Sequence, residues 1–301
     1  PGWAPGSKLM FTVGSRTTNS YYSVMRKAGA QARYVLMSSA AKHWEVPISE
    51  LTTSNGHVLH GKTNQKINYG DLVPFLEMPE TLPEFSDKQL KNPKDFQLVG
   101  KDIPRTEIPA KVDGSAMFAI DIRLPGMVYG VLERGKLHGS KPSLTNEAEV
   151  LAMEGVLKII PLDYAIGVVA KTLEQALDTK QNLKIDWSES KASGHNSQEV
   201  YSAYEKIASQ KEKGKVIIEI GDVAKAKRTA AKTYEVDYKN DYVYHAQMEP
   251  LNAVVLVAED GGSAEVWVGS QQGTDTKLGI PKILGIAPEK VNVHLQYLGG
   301  G

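Results

Sequence analysis

Between Met127 and Trp187, short apolar runs of two periodicities alternate so closely that only a small two-layer unit of strands and helices accommodates them. Met127–Glu133 alternates as a strand after the Pro125-Gly126 turn. Thr145 is the expected N-cap of a helix through Met153 that Gly155 ends. Val156–Ile160 and Ala165–Ala170 are β-branched strand sequences, and Leu183–Trp187 closes the series. Thr172-Leu173-Glu174-Gln175 has capping-box spacing, in which a hydroxyl and a side chain three residues on satisfy free backbone N–H groups, so a helix to about Gln181 begins there. The expected order is β-α-β-β-α-β, the split βαβ pattern, in a domain spanning residues 99–190.

The flanks, 1–98 and 191–301, read as further α+β regions. Val24, Ala28, Ala32, Leu36 and Ala40 recur every fourth residue and predict a helix over Ser23–Trp44 with a mostly alanine face. Strands are expected at His57–His60 and Lys66–Tyr69, then a short helix from Tyr69 or Gly70 to Glu77, a surface linker over Met78–Lys94, and a strand at Ala116–Ile122. Beyond residue 190, a helix carries Val200, Tyr204 and Ile207, and Asp222 caps another. Strands are expected at Val216–Ile220 and Tyr234–Tyr238, with a hairpin of Ala253–Ala258 and Ala264–Val268 across Gly261-Gly262. A helix from Thr274 or Asp275 to Gly285, kinked by Pro281, leads to a last strand at Val291–Tyr297.

The 301 residues carry 35 basic and 35 acidic side chains, so no net field recruits nucleic acid. With no cysteine, the chain supplies no disulfide, thiolate nucleophile, Cys-ligated zinc or Cys-ligated iron–sulfur cluster. Its seven histidines lack zinc-like spacing, and no metal ligands are expected from the protein. No run of 18 apolar residues is present. Opening on Pro1 and closing on three glycines, the sequence reads as cut from something longer.

Four segments could carry chemistry. Gly299-Gly300-Gly301 follows a strand, and its bare backbone N–H groups could approach an anion or a bulky cofactor; a flexible tail accounts for them equally. Ser270-Gln271-Gln272-Gly273 lies between strand and helix, where Gln271 offers a donor and an acceptor, or where the loop simply caps the helix. In Tyr244–Ala253, extended backbone would turn His245, Gln247 and Glu249 to one side, as a ligand site or as a structural polar network. Gly14-Ser15-Arg16-Thr17-Thr18 could form an anion site or an ordinary N-terminal turn; it lacks the P-loop arrangement.

Taken in order, GSRTT, RKAGAQARYVL and AAKHWEV, then RTEIPAKVDGSAMFAIDIRLPGMVYGVLERG, then GDVAKAKRTAAKTYEVDY and YHAQMEPLNAVV, then VWVGSQQG and KILGIAPEKVNVHLQYLGGG resemble the molybdenum-binding large subunit of the xanthine dehydrogenase and aldehyde oxidoreductase family, in its isoquinoline 1-oxidoreductase beta-subunit-like branch. The resemblance implies a hammerhead-like domain over 99–190, flanked by incomplete parts of molybdenum-cofactor-binding domains, an N-terminal portion with linker over 1–98 and the first part of the large one over 191–301. It implies a molybdenum–pyranopterin cofactor, including its cytosine dinucleotide form, held through its own dithiolene sulfurs, with 2Fe–2S clusters confined to a small partner subunit. Gln271 then matches a glutamine beside the molybdenum oxo group, and Glu249 an acidic residue of the substrate pocket. Gly299, Gly300 and Gly301 match the start of a cofactor-facing glycine loop, and Gly14, Ser15, Arg16, Thr17 and Thr18 a segment near the pterin phosphate. The implied reaction is oxidation of an aldehyde or N-heterocycle with water as oxygen source.

The family's general-base glutamate has no counterpart here, so the fragment alone is expected to be inactive and to need the remainder of the large subunit, the iron–sulfur subunit, and a cytochrome c or membrane electron acceptor. The branch implies a periplasmic or membrane-associated protein, with the cytoplasm open. Two other readings are a noncatalytic, cofactor-cradling split subunit and, in a different class, a periplasmic small-ligand-binding module.

Overall fold

The computed structural model describes residues 12–210 and 214–300, so the expectation for Gly301 lies outside the described residues. The chain forms two compact units, one comprising the residues up to Ile122 with those from Gln247 onward, the other Arg123–Ala246. The sequence boundaries at 98/99 and 190/191 fall inside these units.

Helix α1, Arg16–His43, begins seven residues before the predicted start. Gly14 and Ser15 both adopt positive φ, 59° and 53°, so the chain turns there and the threonines and Asn19 already belong to the helix. Only its C-terminal half is covered. Met37, Ala40 and Ala41 pack with Leu51, Val58 and Leu72, whereas Val24, Ala28 and Ala32 of the alanine face are exposed. Strands β1, Leu51–Ser54, β2, His57–His60, and β3, Gln65–Asn68, form an antiparallel sheet in that order. Strand β1 escapes a periodicity search because LTTS holds one apolar residue; Asn55-Gly56, at φ 46° and 74°, makes the two-residue hairpin turn that pairs it with β2. Buried His60 lies 2.9 Å from Glu50 Oε2 and 2.8 Å from Thr63 Oγ1.

The short helix expected before Glu77 contracts to a 3-10 turn, Val73–Phe75, because Pro74 removes a donor. Helix α2 spans Ile108–Asp113. The strand expected at Ala116–Ile122 is corrected to a 3-10 turn, Ala119–Asp121, which Asp121 closes by accepting a hydrogen bond from the Phe118 N–H at 3.0 Å. Phe118 keeps a single bridge to Tyr297.

In the second unit come β4, Tyr129–Arg134, β5, Pro142–Leu144, α3, Glu147–Leu151, β6, Val156–Leu162, β7, Ala165–Ala170, α4, Leu173–Gln181, and β8, Ile185–Trp187. Apart from the extra β5, this is the predicted order. Strand β7 is central, antiparallel to β4 and β6, and buried almost throughout because α3 and α4 contribute Val150 and Ala176 to its apolar face. Strands β5 and β8 form a separate antiparallel pair. Thr172 caps α4 as its spacing requires, accepting from the Gln175 N–H at 3.2 Å. Thr145 does not cap α3; its hydroxyl donates to the Lys184 carbonyl at 2.9 Å, and Asn146 takes the N-cap position.

Helices α5, Ser197–Ser209, and α6, Val223–Thr229, follow, with Asp222 accepting from the Lys225 N–H at 2.8 Å. Tyr201, its hydroxyl 2.6 Å from Asp241 Oδ1, ties residues 240–241 to α5, and the carboxylate pushes that phenol up to about 12. The strands expected at Val216–Ile220 and Tyr234–Tyr238 do not form. Both segments are extended in pattern but exposed, and among the described residues no strand pairs with them.

Back in the first unit, β9, Ala253–Val257, β10, Ala264–Val268, α7, Gly273–Leu284, and β11, Val291–Leu295, build a three-stranded sheet in which β10 is antiparallel to β9 and parallel to β11, with α7 as the crossover. Pro281 sits buried in the last turn of α7, and Gly285, at φ 71°, ends the helix by donating to the Pro281 carbonyl at 2.8 Å. Ile280 and Leu284 pack on Val266 and Val291. Among the described residues no helix is long and apolar enough to cross a membrane.

Truncating Ile166, buried at the centre of β7, leaves a cavity in a core with no spare side chain to fill it. Ile166→Ala is expected to cost about 2–5 kcal/mol, measured by urea denaturation through the fluorescence of Trp187. Lys62, and after it His60, hold the Glu50 carboxyl below the usual glutamate range. A lowered pKa lends stability that is present above the ordinary value and lost as pH falls through the lowered one. Lys62→Met should therefore flatten the acid limb of the stability–pH curve, measured by urea denaturation across pH.

Candidate functional site

Register sets the site. Ala253 at the start of β9 pairs with Val268 at the end of β10, which pairs with Leu295 at the end of β11, so the segments leading into β9 and out of β10 and β11 meet at one end of the sheet. This is the carboxyl end of the parallel pair, where α/β arrangements bind ligands because loops and helix N-termini converge there. A cleft of about 370 Å³ lies at this end. Residues 247 and 249–252 form one wall, 269–272 a second, and Leu298, Gly299 and Gly300 the third.

Glu249 is the hub of the first wall. Its Oε2 accepts from the Gly299 N–H at 3.1 Å, and its Oε1 accepts from Asn252 Nδ2 at 3.0 Å and from the Ile120 N–H at 3.3 Å. Its own N–H donates to the Gly299 carbonyl at 3.0 Å. The approach is so close that a β-carbon on Gly299 would lie 2.2 Å from that of Glu249. Gly300, at φ 111°, crosses Gln247 with somewhat more room, an added β-carbon lying 3.3 Å from that of Gln247, and a β-carbon on Gly269 would meet the Tyr297 carbonyl at 3.0 Å. These glycines leave a backbone floor.

Gln271, exposed on the loop between β10 and α7, also lines the cleft, beside Ser270, whose hydroxyl accepts from the Gln272 N–H at 3.0 Å. The structure thus brings together Gln271, Glu249, Gly299 and Gly300. Gly14, Ser15, Arg16, Thr17 and Thr18 do not line the cleft: Arg16–Thr18 form the first turn of α1, although the Thr12 N–H donates to the Gln271 carbonyl at 3.0 Å and holds that segment beside the loop. His245 does not join Glu249 on one extended face, because Ala246 takes a positive φ of 48° and breaks the alternation. Gly269 and Asn252 are the parts that sequence reasoning passed over. Glycine directly after a strand was the available signal for the first; for the second it was an amide three residues after Glu249, within the Tyr244–Ala253 segment.

The donor set is neutral apart from Glu249, whose charge is met by three N–H groups. Asn252 Oδ1 is a buried acceptor with no hydrogen-bond partner among the described residues. Among the described residues no three His, Asp or Glu side chains cluster as metal ligands. Amide side chains over a bare glycine floor suit a large polar group that brings its own metal ligands and is held through hydrogen bonds.

Residues 207–301 match the molybdopterin cofactor-binding domain family. Over 97% of its length the chain is 32% identical to isoquinoline 1-oxidoreductase subunit beta of Brevundimonas diminuta, covering 42% of that protein. It is 26% identical over its whole length to the membrane-bound aldehyde dehydrogenase (pyrroloquinoline-quinone) of Gluconacetobacter polyoxogenes, covering 39% of it. Quinoline 2-oxidoreductase from Pseudomonas putida 86 superposes with a TM-score of 0.49 at 16% identity, over 66% of this chain and 30% of that one. The chain therefore spans about two fifths of the length of the curated relatives it matches. Residues 207–301 thus carry a molybdopterin cofactor-binding domain match, and along nearly its whole length the chain is a homologue of part of the isoquinoline 1-oxidoreductase beta subunit, its curated homologues being oxidoreductases or their subunits.

Gly299→Ala is expected to destabilise the chain by about 1–3 kcal/mol, since the added methyl group displaces the wall carrying Glu249. Gly279→Ala, on an open face of α7, should instead be neutral or gain up to about 1 kcal/mol. Parallel thermal denaturation of the two variants checks the contrast.

Proposed function

We propose that this chain forms the cofactor-cradling part of a molybdenum hydroxylase that oxidises an aldehyde or an N-heterocycle with oxygen drawn from water. The observation carrying this reading is the convergence of Gln271 and the Gly299-Gly300 turn on one cleft at the carboxyl end of a parallel strand pair. When bound, the molybdenum–pyranopterin supplies the two-electron redox centre. Gln271 directs its side-chain amide toward a cofactor oxygen, and the glycine turn offers backbone N–H groups with no side chain between them and the group held. Asn252 retains an acceptor for a donor on that group. No base for activating water is assigned in this chain; in this reading it would belong to the rest of the large subunit, with 2Fe–2S clusters in a small subunit and a cytochrome c or membrane acceptor as the electron-accepting partners.

In the same reading, 99–190 is a hammerhead-like domain, Gly14–Thr18 approach the pterin phosphate side through their link to the Gln271 loop, and the protein is periplasmic or membrane-associated. The exposed face of Val24, Ala28 and Ala32, and the uncovered apolar segments 216–220 and 234–238, are explained by packing against the remainder of the large subunit.

The test is metal analysis and pterin extraction on the intact protein, with about one molybdenum expected per chain. Gln271→Ala should keep that molybdenum and lower kcat by about 100-fold, the cost of losing one positioned donor of about 2.7 kcal/mol. Absence of both molybdenum and pterin overturns the reading.

A further inference from the structure

We infer that Glu249 is a positioning residue that holds the glycine turn in shape, and that its carboxylate is not spent on substrate. The argument is one of hydrogen-bond inventory. A carboxylate offers about four lone-pair sites on two oxygens, and three are taken within the chain, at least one on each oxygen: Oε2 by the Gly299 N–H at 3.1 Å, Oε1 by Asn252 Nδ2 at 3.0 Å and the Ile120 N–H at 3.3 Å. These three donors come from three separate stretches of sequence. Asn252 is itself braced, since its Nδ2 also donates to the Pro250 carbonyl at 2.7 Å. Charge-assisted bonds of this kind are about twice as strong as neutral ones, and a substrate that drew the carboxylate away would cost the Gly299 N–H its carboxylate partner at the cleft wall.

Geometry adds a second reason. The Glu249 N–H donates to the Gly299 carbonyl while the Gly299 N–H donates to the Glu249 side chain, so this one residue fixes both polar groups of Gly299. Peptide planes are rigid, and fixing both ends of Gly299 sets the direction in which the following Gly300 N–H points. Glu249 thereby acts on whatever the glycine turn holds without touching it. For cofactor retention this rests on the molybdenum reading above; for the shape of the turn it does not.

The experiment combines hydrogen exchange by mass spectrometry with metal content and steady-state kinetics on the intact protein, comparing Glu249→Ala, Glu249→Gln and the remote control Glu259→Gln. In Glu249→Ala, amides in peptides covering 119–121 and 298–300 should exchange at least about tenfold faster, while those of β10 keep their protection as a check on folding. Molybdenum per chain should fall severalfold, and KM for isoquinoline or benzaldehyde, measured on the molybdenum-loaded fraction, should stay within about twofold. Glu249→Gln should lie between, because one amide oxygen can satisfy either the Gly299 N–H or the Asn252 and Ile120 donors but not both sets; it also serves if the alanine variant fails to fold. Unchanged exchange at 298–300 in both variants overturns the inference. So does retained molybdenum with KM raised tenfold or more, which identifies a substrate ligand. Faster exchange in a protein whose wild type carries no molybdenum supports the positioning role while the cofactor reading falls.

Discussion

Glu249 and Gly299 exchange two hydrogen bonds, backbone N–H to carbonyl in one direction and backbone N–H to carboxylate in the other, with no room between them for a β-carbon. Glu249 lies four residues before β9 and Gly299 four residues after β11, the two outer strands of the sheet, so the exchange draws together chain ends that β10 otherwise keeps apart. The strand after which the Gln271 loop emerges is the one between them. Loosening the contact would let the turn and the wall move independently, and the cleft would lose its floor.

The chemistry of that cleft follows from what surrounds the one charge in it. A carboxylate facing a pocket would repel an anionic phosphate or an electron-rich oxygen, but this one is answered by three N–H groups from Gly299, Asn252 and Ile120. What remains to greet a ligand is a set of neutral amides, a hydroxyl and backbone. Such a surface recognises shape and hydrogen-bond pattern and leaves the redox work to whatever group it holds.

Burial is unevenly distributed along the chain, and the pattern has a physical reading. The core of the second unit closes around β7, and the C-terminal half of α1 closes on β1–β3, whereas Val24, Ala28 and Ala32 and the apolar residues of 216–220 and 234–238 lie uncovered. Apolar surface in contiguous stretches of this size is costly in water. The relatives that this chain matches are more than twice as long, and in the proposed reading the remainder of the large subunit covers these stretches.

Local chemistry was legible wherever the residues that define an element are neighbours in sequence. The cap at Thr172, the cap at Asp222, strand β7, the hairpin of β9 and β10, and the end of α7 at Gly285 all follow from side chains within a few positions of the backbone groups they satisfy. Pairing across long separations was not legible. Strand β1 exists because β2 lies beside it, the strand sequences at 216–220 and 234–238 stay unpaired for want of a neighbour, and Thr145 turns to Lys184 and leaves the helix cap to Asn146. The same divide runs through the site. Gln271 and the glycines could be named from their motifs, because a glycine or an amide in a strand-to-helix loop is unusual in its own right. The bonds of Glu249 to residues 120 and 299, and the meeting of three strand ends at one cleft, arise from the way distant segments are brought together, a property of the folded chain that no stretch of residues holds alone.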